Sequence, residues 1–392
     1  MTVQAPSPLP RDRFPVVGVL GGGQLAQMLA QAAGPLGIAV RVLVKEPDHA
    51  LPGLVETAVR GDPNDPTAVA AFARGVDVLT LENEFIAPAA LAAAEQTGTP
   101  LRPGLAAITL VQDKWRQKEA LIRAGLPTAP GRAVNRPEDV TAFAQETGWP
   151  VVLKRRHFGY DGKGNATVDA PDALAAAWSA LTVNKAGLYV EAFCPFEREL
   201  AVMVCRGLDG ARAVYPVVES IQRDHICHKV RAPGALPDTI AETARRLAES
   251  AIEAIGLVGA LGVEMFLLPD QRIVINELAP RVHNSGHYTI EACRCSQFEN
   301  HLRAVLGWPL GSPDMTAPAA VMVNLLGQGD GPAYPLGLEA ALAVPGARIH
   351  LYGKAASSRG RKMGHVTALG ATLAEAETIA EQAACLIAFG ER

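Results

Sequence analysis

What this 392-residue chain lacks sets its limits first. It has no apolar run of the roughly 20 residues needed to span a bilayer, so a membrane role is not expected. It has no large excess of charge of one sign. The formal net charge is −4, which excludes a global pull on nucleic acid and confines any basic site to a local patch. The six cysteines, at 194, 205, 227, 293, 295 and 385, include no C-x-x-C pair. Cys293-x-Cys295 offers two sulfur ligands, too few for a zinc site. The opening stretch, 1–14, is proline-rich without an apolar signal core and reads as a disordered tail. The cysteines then read as reduced thiols of a cytoplasmic protein. No internal repeat or low-complexity tract is present.

What the chain does have suits a soluble globular protein of two or three domains, with 49% hydrophobic and 19% charged residues. The strand-like run Phe14 to Leu20 precedes Gly21-Gly22-Gly23-Gln24 and a helical pattern from Leu25 to Ala33. Further strands, Ile38 to Val44 and Val76 to Leu81, alternate with helices such as Pro88 to Gln96, which indicates a parallel α/β layer. The glycines give a G-x-G-x-x-A near-match to a dinucleotide fingerprint. They fit equally a tight turn, or a helix N-terminus holding any phosphate or carboxylate. Gln112 to Ala124 reads as one amphipathic helix whose lysines and arginine, Lys114, Arg116 and Lys118, lie in solvent.

A second α/β unit holds a helix, Pro137 to Thr147, and a strand, Pro150 to Leu153, ending in three cations, Lys154 to Arg156. The loop that follows, Phe158 to Asn165, has three glycines within six residues, Gly159, Gly162 and Gly164, with Lys163 between two of them. Such a loop offers backbone N–H groups and a cation to phosphates. Near the C-terminus, Lys354, Arg359, Arg361 and Lys362 put four cations within nine residues. They suit an anionic substrate group as well as a solvated surface loop.

The densest chemistry lies from Asn276 to His287, N-E-L-A-P-R-V-H-N-S-G-H. It reads as an irregular loop after a short strand, Arg272 to Ile275. The upstream strand, Ala260 to Leu268, is apolar apart from Glu264. A two-residue turn at Asp270-Gln271 pairs residues whose numbers sum to 541, setting Glu264 opposite Glu277. Opposed side chains have Cβ atoms about 4.5–5.5 Å apart, where like charges repel. Two carboxylates so close among apolar neighbours call for a cation or a shared proton. Mg²⁺ suits such oxygens, with phosphates completing its shell. The other reading is an edge hairpin with both acids in water.

Taken together, Lys154, G-Y-D-G-K-G, Glu191, Glu264, N-E-L-A-P-R-V-H-N-S-G-H and the basic tail resemble the ATP-grasp superfamily, and within it the 5-(carboxyamino)imidazole ribonucleotide synthase family of purine biosynthesis. The resemblance runs from about Pro15 to the last helix. It implies an α/β ATP-grasp fold: a Rossmann-like parallel-sheet domain (15–112), a small α+β lid (113–190), and a larger α+β domain with a mainly antiparallel sheet (191–392), extended by a small β region from about 311. It implies a homodimer, and an ATP-dependent ligase that carboxylates aminoimidazole ribonucleotide with bicarbonate through carboxyphosphate. Formate-dependent glycinamide ribonucleotide transformylase, of the same superfamily, is the rival reading.

By the same resemblance, Glu264 and Glu277 hold Mg²⁺, two ions in all. ATP meets Lys114, Lys154, the loop Gly159, Tyr160, Asp161, Gly162, Lys163 and Gly164, the hinge Glu191, Ala192 and Phe193, the ribose acid Glu199, and Asn276 with Glu277. The ribonucleotide and bicarbonate meet Gln24, Tyr160, Asp161, Arg281, His283, Asn284 and Ser285, and the 5′-phosphate meets Lys354, Arg361 and Lys362. Arg281, His283, Tyr160 and Asp161 are the implied catalytic groups. Two departures stand out. Lys114 occupies a position where the family often has arginine, and Gln222 falls where it has a histidine near ATP, with His225 close by.

Overall fold

The computed structural model describes residues 12–46, 57–157, 164–182 and 187–390. The chain opens with β1 (Val16–Leu20), α1 (Gln24–Ala33), β2 (Ala39–Val44), β3 (Thr57–Arg60), α2 (Pro66–Ala73), β4 (Val78–Leu81) and α3 (Pro88–Gln96). These strands form a parallel sheet in the order β3-β2-β1-β4. Helices cover both faces, so β4 reads V-L-T-L with every residue buried, as a central parallel strand should.

Two helices follow, α4 (Leu105–Gln112) and α5 (Lys114–Arg123). The sequence suggested a single helix there. Asp113 breaks it: the residue is extended (φ −96°, ψ 101°), and its carboxylate accepts from the N–H groups of Trp115 and Arg116. It is an N-cap, which starts one helix where the last ends.

A second sheet contains β5 (Gly131–Val134), β6 (Val151–Arg155), β7 (Asn165–Val168) and β8 (Leu188–Ala192), antiparallel in the order β5-β8-β6-β7. The helices α6 (Pro137–Thr147) and α7 (Leu174–Thr182) pack their apolar residues on it.

The third sheet is antiparallel and has nine strands. Its members are β9 (Arg198–Arg206), β10 (Arg212–Val214), β11 (Val218–Arg223), β12 (Ile226–Ala232), β13 (Gly259–Leu267), β14 (Ile273–Ala279), β15 (Ala319–Leu326), β17 (Ala347–Leu351) and β19 (Lys362–Gly370). The order is β14-β13-β9-β11-β12-β15-β19-β17, with β10 beside β9. Two-residue strands β16 (Gly331–Pro332) and β18 (Ala356–Ser357) pair separately. The remaining helices are α8 (Asp238–Ala254), α9 (Thr289–Ala292), α10 (Gln297–Leu306), α11 (Leu338–Leu342) and α12 (Leu373–Leu386). No helix among the described residues is long and apolar enough to cross a membrane.

Alternation along β9 divides two cores. Leu200, Val202 and Val204 face α8. Ala201, Met203 and Cys205 face the other way and share a core with α10 and α1. The first and third sheets are also bolted together by polar groups. His301 Nδ1 accepts from Ala260 N–H at 3.0 Å, so its Nε2 carries the proton and donates to Thr80 Oγ1 at 2.7 Å. Arg102 donates to the carbonyl of Val305. Glu264 and Glu199 project from this second face of the large sheet, since β13 and β9 pair Glu264 with Ala201 and Phe266 with Glu199.

Candidate functional site

The hairpin β13–β14 sets Glu264 opposite Glu277, by a route that differs from the expected one. Near the turn, Leu267 pairs with Ile273 and Met265 with Ile275, so the numbers sum to 540, not 541. Leu268 N–H donates to the Arg272 carbonyl, and Gln271 adopts φ +63° within the turn. A β-bulge between Glu264 and Met265 then absorbs Asn276 and restores the pairing of the two acids. The strand continues to Ala279, so Asn276 and Glu277 are strand residues and not part of an irregular loop. The bulge lets both consecutive side chains reach cations of the same cleft: Lys154 Nζ lies 3.4 Å from Asn276 Oδ1, and Lys114 forms an ion pair with Glu277. β14 is an edge strand, and Gln117 secures it by accepting from Leu278 N–H at 3.0 Å.

The Glu264 carboxyl is pushed up to about 7 by burial, then by Glu277 and Glu199. About a third of its side chain (36%) still meets solvent, so its burial is incomplete and the like charges of Glu277 and Glu199 add to its effect. His283 faces it, with Nε2 3.3 Å from Glu264 Oε1. The His283 ring caps the short turn Asn284–Gly286, its Nδ1 accepting from Ser285 N–H. That leaves the proton on Nε2, aimed at Glu264. Burial and the charges of Arg281, Lys362 and Lys114 hold His283 well below the usual imidazole range. Ser285 Oγ is 2.9 Å from His283 Nδ1, while both amide atoms of Asn284 are buried without hydrogen-bond partners among the described residues.

Arg281 makes a two-pronged contact with Glu84, Nε to Oε2 at 2.5 Å and Nη2 to Oε1 at 3.2 Å. Glu84, in the segment L-E-N-E-F that agrees with the family, was given no site role from the sequence. Neither was Glu82, two positions earlier, which accepts from the backbone N–H groups of Gly23 and Leu25 and senses the charges of Arg281 and Lys354. The glycine turn at α1 therefore holds a carboxylate, and it is the chain's own. Two acids directly after a fully buried strand of a parallel sheet were the available signal, because ligands gather at the carboxyl ends of such strands. A cavity of about 480 Å³ also opens there, lined by Gly21 to Gly23, Lys45, Asp62 and Asn83. Neither Glu264, Glu277, Lys114 nor Lys154 lines it.

Glu191 is buried between two lysines: Oε2 is 2.5 Å from Lys154 Nζ and Oε1 is 2.8 Å from Lys118 Nζ. The expectation that the α5 charges are solvated fails for Lys118, which is 4% exposed, and for Lys114, which is 15% exposed and paired with Glu277. Arg116 is exposed as expected. The three cations at the end of β6, Lys154 to Arg156, also part company. Lys154 stays in the cleft, Arg155 donates to the carbonyls of Ala180 and Leu181 at the end of α7, and Arg156 pairs with Asp113. Glu199 is approached by Gln222, while burial raises its carboxyl. His225 lies in an exposed turn at φ +62°. Ala192 closes β8 through its N–H to Pro130 O, and Phe193 beyond it is 44% exposed.

The basic tail divides too. The Lys362 charge acts on Glu264 and His283. The Lys354 ammonium lies 5.9 Å over the Tyr352 ring and acts on Glu82. Arg361 donates to the Ala356 carbonyl at 2.6 Å, within the tail itself. Gln24 is the first residue of α1. Gly159, Tyr160, Asp161, Gly162 and Lys163 lie outside the described residues. Gly164, which follows them, has φ +102° and accepts from Arg155 N–H.

A divalent cation fits this arrangement on the chemistry of its donors. Two opposed carboxylates, one of them pushed up by the other, are relieved by a hard cation. Among the described residues no three metal-binding side chains converge. Two carboxylates suffice where phosphate oxygens and water complete the shell.

Comparison with known proteins matches residues 15–112 to the ribonucleotide synthetase preATP-grasp domain, 119–298 to the ATP-grasp domain, and 320–379 to the phosphoribosylaminoimidazole carboxylase C-terminal domain. The chain is 42% identical over 352 residues to N5-carboxyaminoimidazole ribonucleotide synthase of Synechococcus elongatus, covering 90% of this chain and 88% of the relative. It is also 42% identical to phosphoribosylaminoimidazole carboxylase of Schizosaccharomyces pombe, over 92% of this chain but only 66% of that longer protein. Among solved structures, carboxyaminoimidazole ribonucleotide synthase from Aspergillus clavatus complexed with ATP superposes with TM-score 0.86 at 38% identity, covering 95% of this chain and 98% of that one. The Aspergillus clavatus synthase in complex with ADP and 5-aminoimidazole ribonucleotide gives TM-score 0.87 at 37% identity, with the same coverage.

Proposed function

The chain belongs to the N5-carboxyaminoimidazole ribonucleotide synthase family of ATP-grasp ligases, and we propose that it joins bicarbonate to the exocyclic amine of 5-aminoimidazole ribonucleotide at the expense of ATP. The observation that carries this reading is the opposed pair Glu264 and Glu277, ringed by Lys114, Lys154, Arg281 and His283.

In the first step a bicarbonate oxygen attacks the γ-phosphorus, the bond to ADP breaks, and carboxyphosphate forms. In the second, the amine nitrogen bonds to the carboxyl carbon and phosphate leaves. The amine's surplus proton passes to a base, for which Tyr160 and Asp161 are the candidates. Phosphoryl transfer needs positioning and charge neutralisation above all. Lys154 and Lys114 supply cations on either side of the bulge, and the loop through Gly164 covers the phosphates. Glu191, Ala192 and Phe193 form the adenine hinge, and Glu199 receives the ribose. Glu264 and Glu277 would hold Mg²⁺, which when bound offsets the charge of the phosphate oxygens. Arg281, fixed by Glu84, presents the rest of its guanidinium to the carboxyphosphate. His283 and Ser285 line the ribonucleotide side with Asn284, whose unpartnered amide supports a ligand contact. Lys354 and Lys362 face the ribonucleotide's phosphate, with Arg361 behind them. We place the protein in the cytoplasm as a homodimer, on the family resemblance.

The test is phosphate release from ATP plus bicarbonate, with and without aminoimidazole ribonucleotide, against formate plus glycinamide ribonucleotide. Stimulation by the first pair is expected. Turnover only with the second would overturn the assignment.

A further inference from the structure

Lys118 points into the protein beneath the second sheet. Its stem passes Gly131, the first residue of β5, where a Cβ would come within 3.2 Å of Lys118 Cδ. Its ammonium donates to the Ala129 carbonyl at 2.7 Å and lies 2.8 Å from Glu191 Oε1. The second oxygen of Glu191 lies 2.5 Å from Lys154. Three charged groups from α5, β8 and β6 thus meet in one buried cluster; its titratable neighbours Tyr189 and Cys194 are pushed up by burial and stay neutral, and Glu277 is paired with Lys114. Burial pulls Lys118 down, while the attraction between Glu191 and Lys154 holds the carboxyl down and the ammonium up against their own burial; Lys118 Nζ sits between two oxygen acceptors, the Ala129 carbonyl and Glu191 Oε1, a setting that suits an ammonium.

The charge count decides what Lys118 does. Glu191 with Lys154 alone carries no net charge, so its pull on a polyphosphate is weakened. With Lys118 on the other carboxylate oxygen, the cluster carries one net positive charge, and Lys154 is only half neutralised. We propose that Lys118 is a positioning residue for the nucleotide: by sharing Glu191 it keeps the Lys154 charge available to the ATP phosphates. This rests on the nucleotide reading of Lys154 given above.

Calorimetric titration with ADP tests it on the whole protein. Lys118→Met is expected to weaken ADP binding, and to raise the KM for ATP, on the order of tenfold. The KM for the ribonucleotide should change by less than about twofold, because Lys118 makes no contact on that side. Lys118→Arg, which keeps the charge, should recover most of the loss. The decisive variant is Lys118→Met/Glu191→Gln. It restores a net charge of +1 without restoring the ion pair, and should bind ADP better than Lys118→Met. If Lys118→Met does not fold, Lys118→Gln with and without Glu191→Gln gives the same comparison. ADP binding unchanged in Lys118→Met, or a double variant no better than the single one, would overturn the proposal. Failure of the unsubstituted protein to bind ADP would overturn the nucleotide reading along with it.

Discussion

The two carboxylates of the hairpin are equivalent in chemistry and opposite in environment, and that asymmetry is measurable. Glu264 is pushed up to about 7 from an ordinary 4.5. As pH rises through that window, the unfolded chain releases the proton first, so an ionised Glu264 costs stability above about pH 5. Glu264→Gln is therefore expected to raise stability at about pH 8, by about 1 kcal/mol once solvent screening of a one-third-exposed group is allowed for. Glu277 has Lys114 as a partner, so Glu277→Gln gains nothing in stability. Both variants should lose ATP turnover by about a hundredfold or more, as removal of charge-stabilising groups usually does. Urea unfolding and phosphate release would show it. A Glu277→Gln enzyme with full turnover would contradict the pairing's purpose. The sequence made this pair legible because only one acid interrupts each apolar strand. It marked Glu82 and Glu84 only as two acids after a buried strand; their contacts with α1 and Arg281, remote in the chain, it could not reveal. Nor could it separate Lys118 from Arg116, since two lysines and an arginine on one short helix look alike until the second sheet is laid over them.

At the scale of elements, the hairpin shows how a register can be right for an incomplete reason. Counting from a two-residue turn leads to Glu264 opposite Glu277, while the real turn is offset by one and the bulge at Asn276 corrects it. Bulges leave little trace in hydrophobic alternation, which is why the strand was expected to end at Ile275. Three of the four parallel strands, the strands β6 and β8 of the second sheet and the helices α8 and α12 were legible from period and punctuation, whereas β3, β5 and β7, short strands of four residues each, were not. The break between α4 and α5 was not, because Asp113 sits in an otherwise helical pattern. Close packing behind the hairpin gives a further prediction. A Cβ at Gly262 would meet His283 Cβ at 2.8 Å and Cγ at 3.0 Å. Gly262→Ala should displace His283 from Glu264, costing about 1–3 kcal/mol of stability and more than about tenfold in kcat. Unchanged kinetics would mean that His283 needs no such seat.

The whole molecule carries buried neutral histidines, and acid should find them together. His301, which bolts the first sheet to the third, is lowered to about 4, and burial holds His283, His287 and His365 well below the ordinary 6.5. Below about pH 6.5 the unfolded chain takes up protons that these folded imidazoles refuse, so stability is full above that pH and lost as pH falls toward 4. Each group removes up to about 1.4 kcal/mol per pH unit across its window. The raised carboxyls Glu264, Glu199 and Glu82 oppose this loss, and lowered ones such as Glu84 and Glu191 add to it. The urea midpoint is expected to drop steeply between about pH 6.5 and 5, and a flat profile would refute the account. The carboxylate of Glu82, seated on the N–H groups of Gly23 and Leu25, has a consequence beyond this enzyme. Glycine spacing at the first turn of such a sheet advertises a dinucleotide berth, yet here the berth is already taken from within. Anyone wishing to graft a redox cofactor onto this scaffold would have to evict that acid first, and in doing so would release Arg281 and Lys354 from the charge that now restrains them.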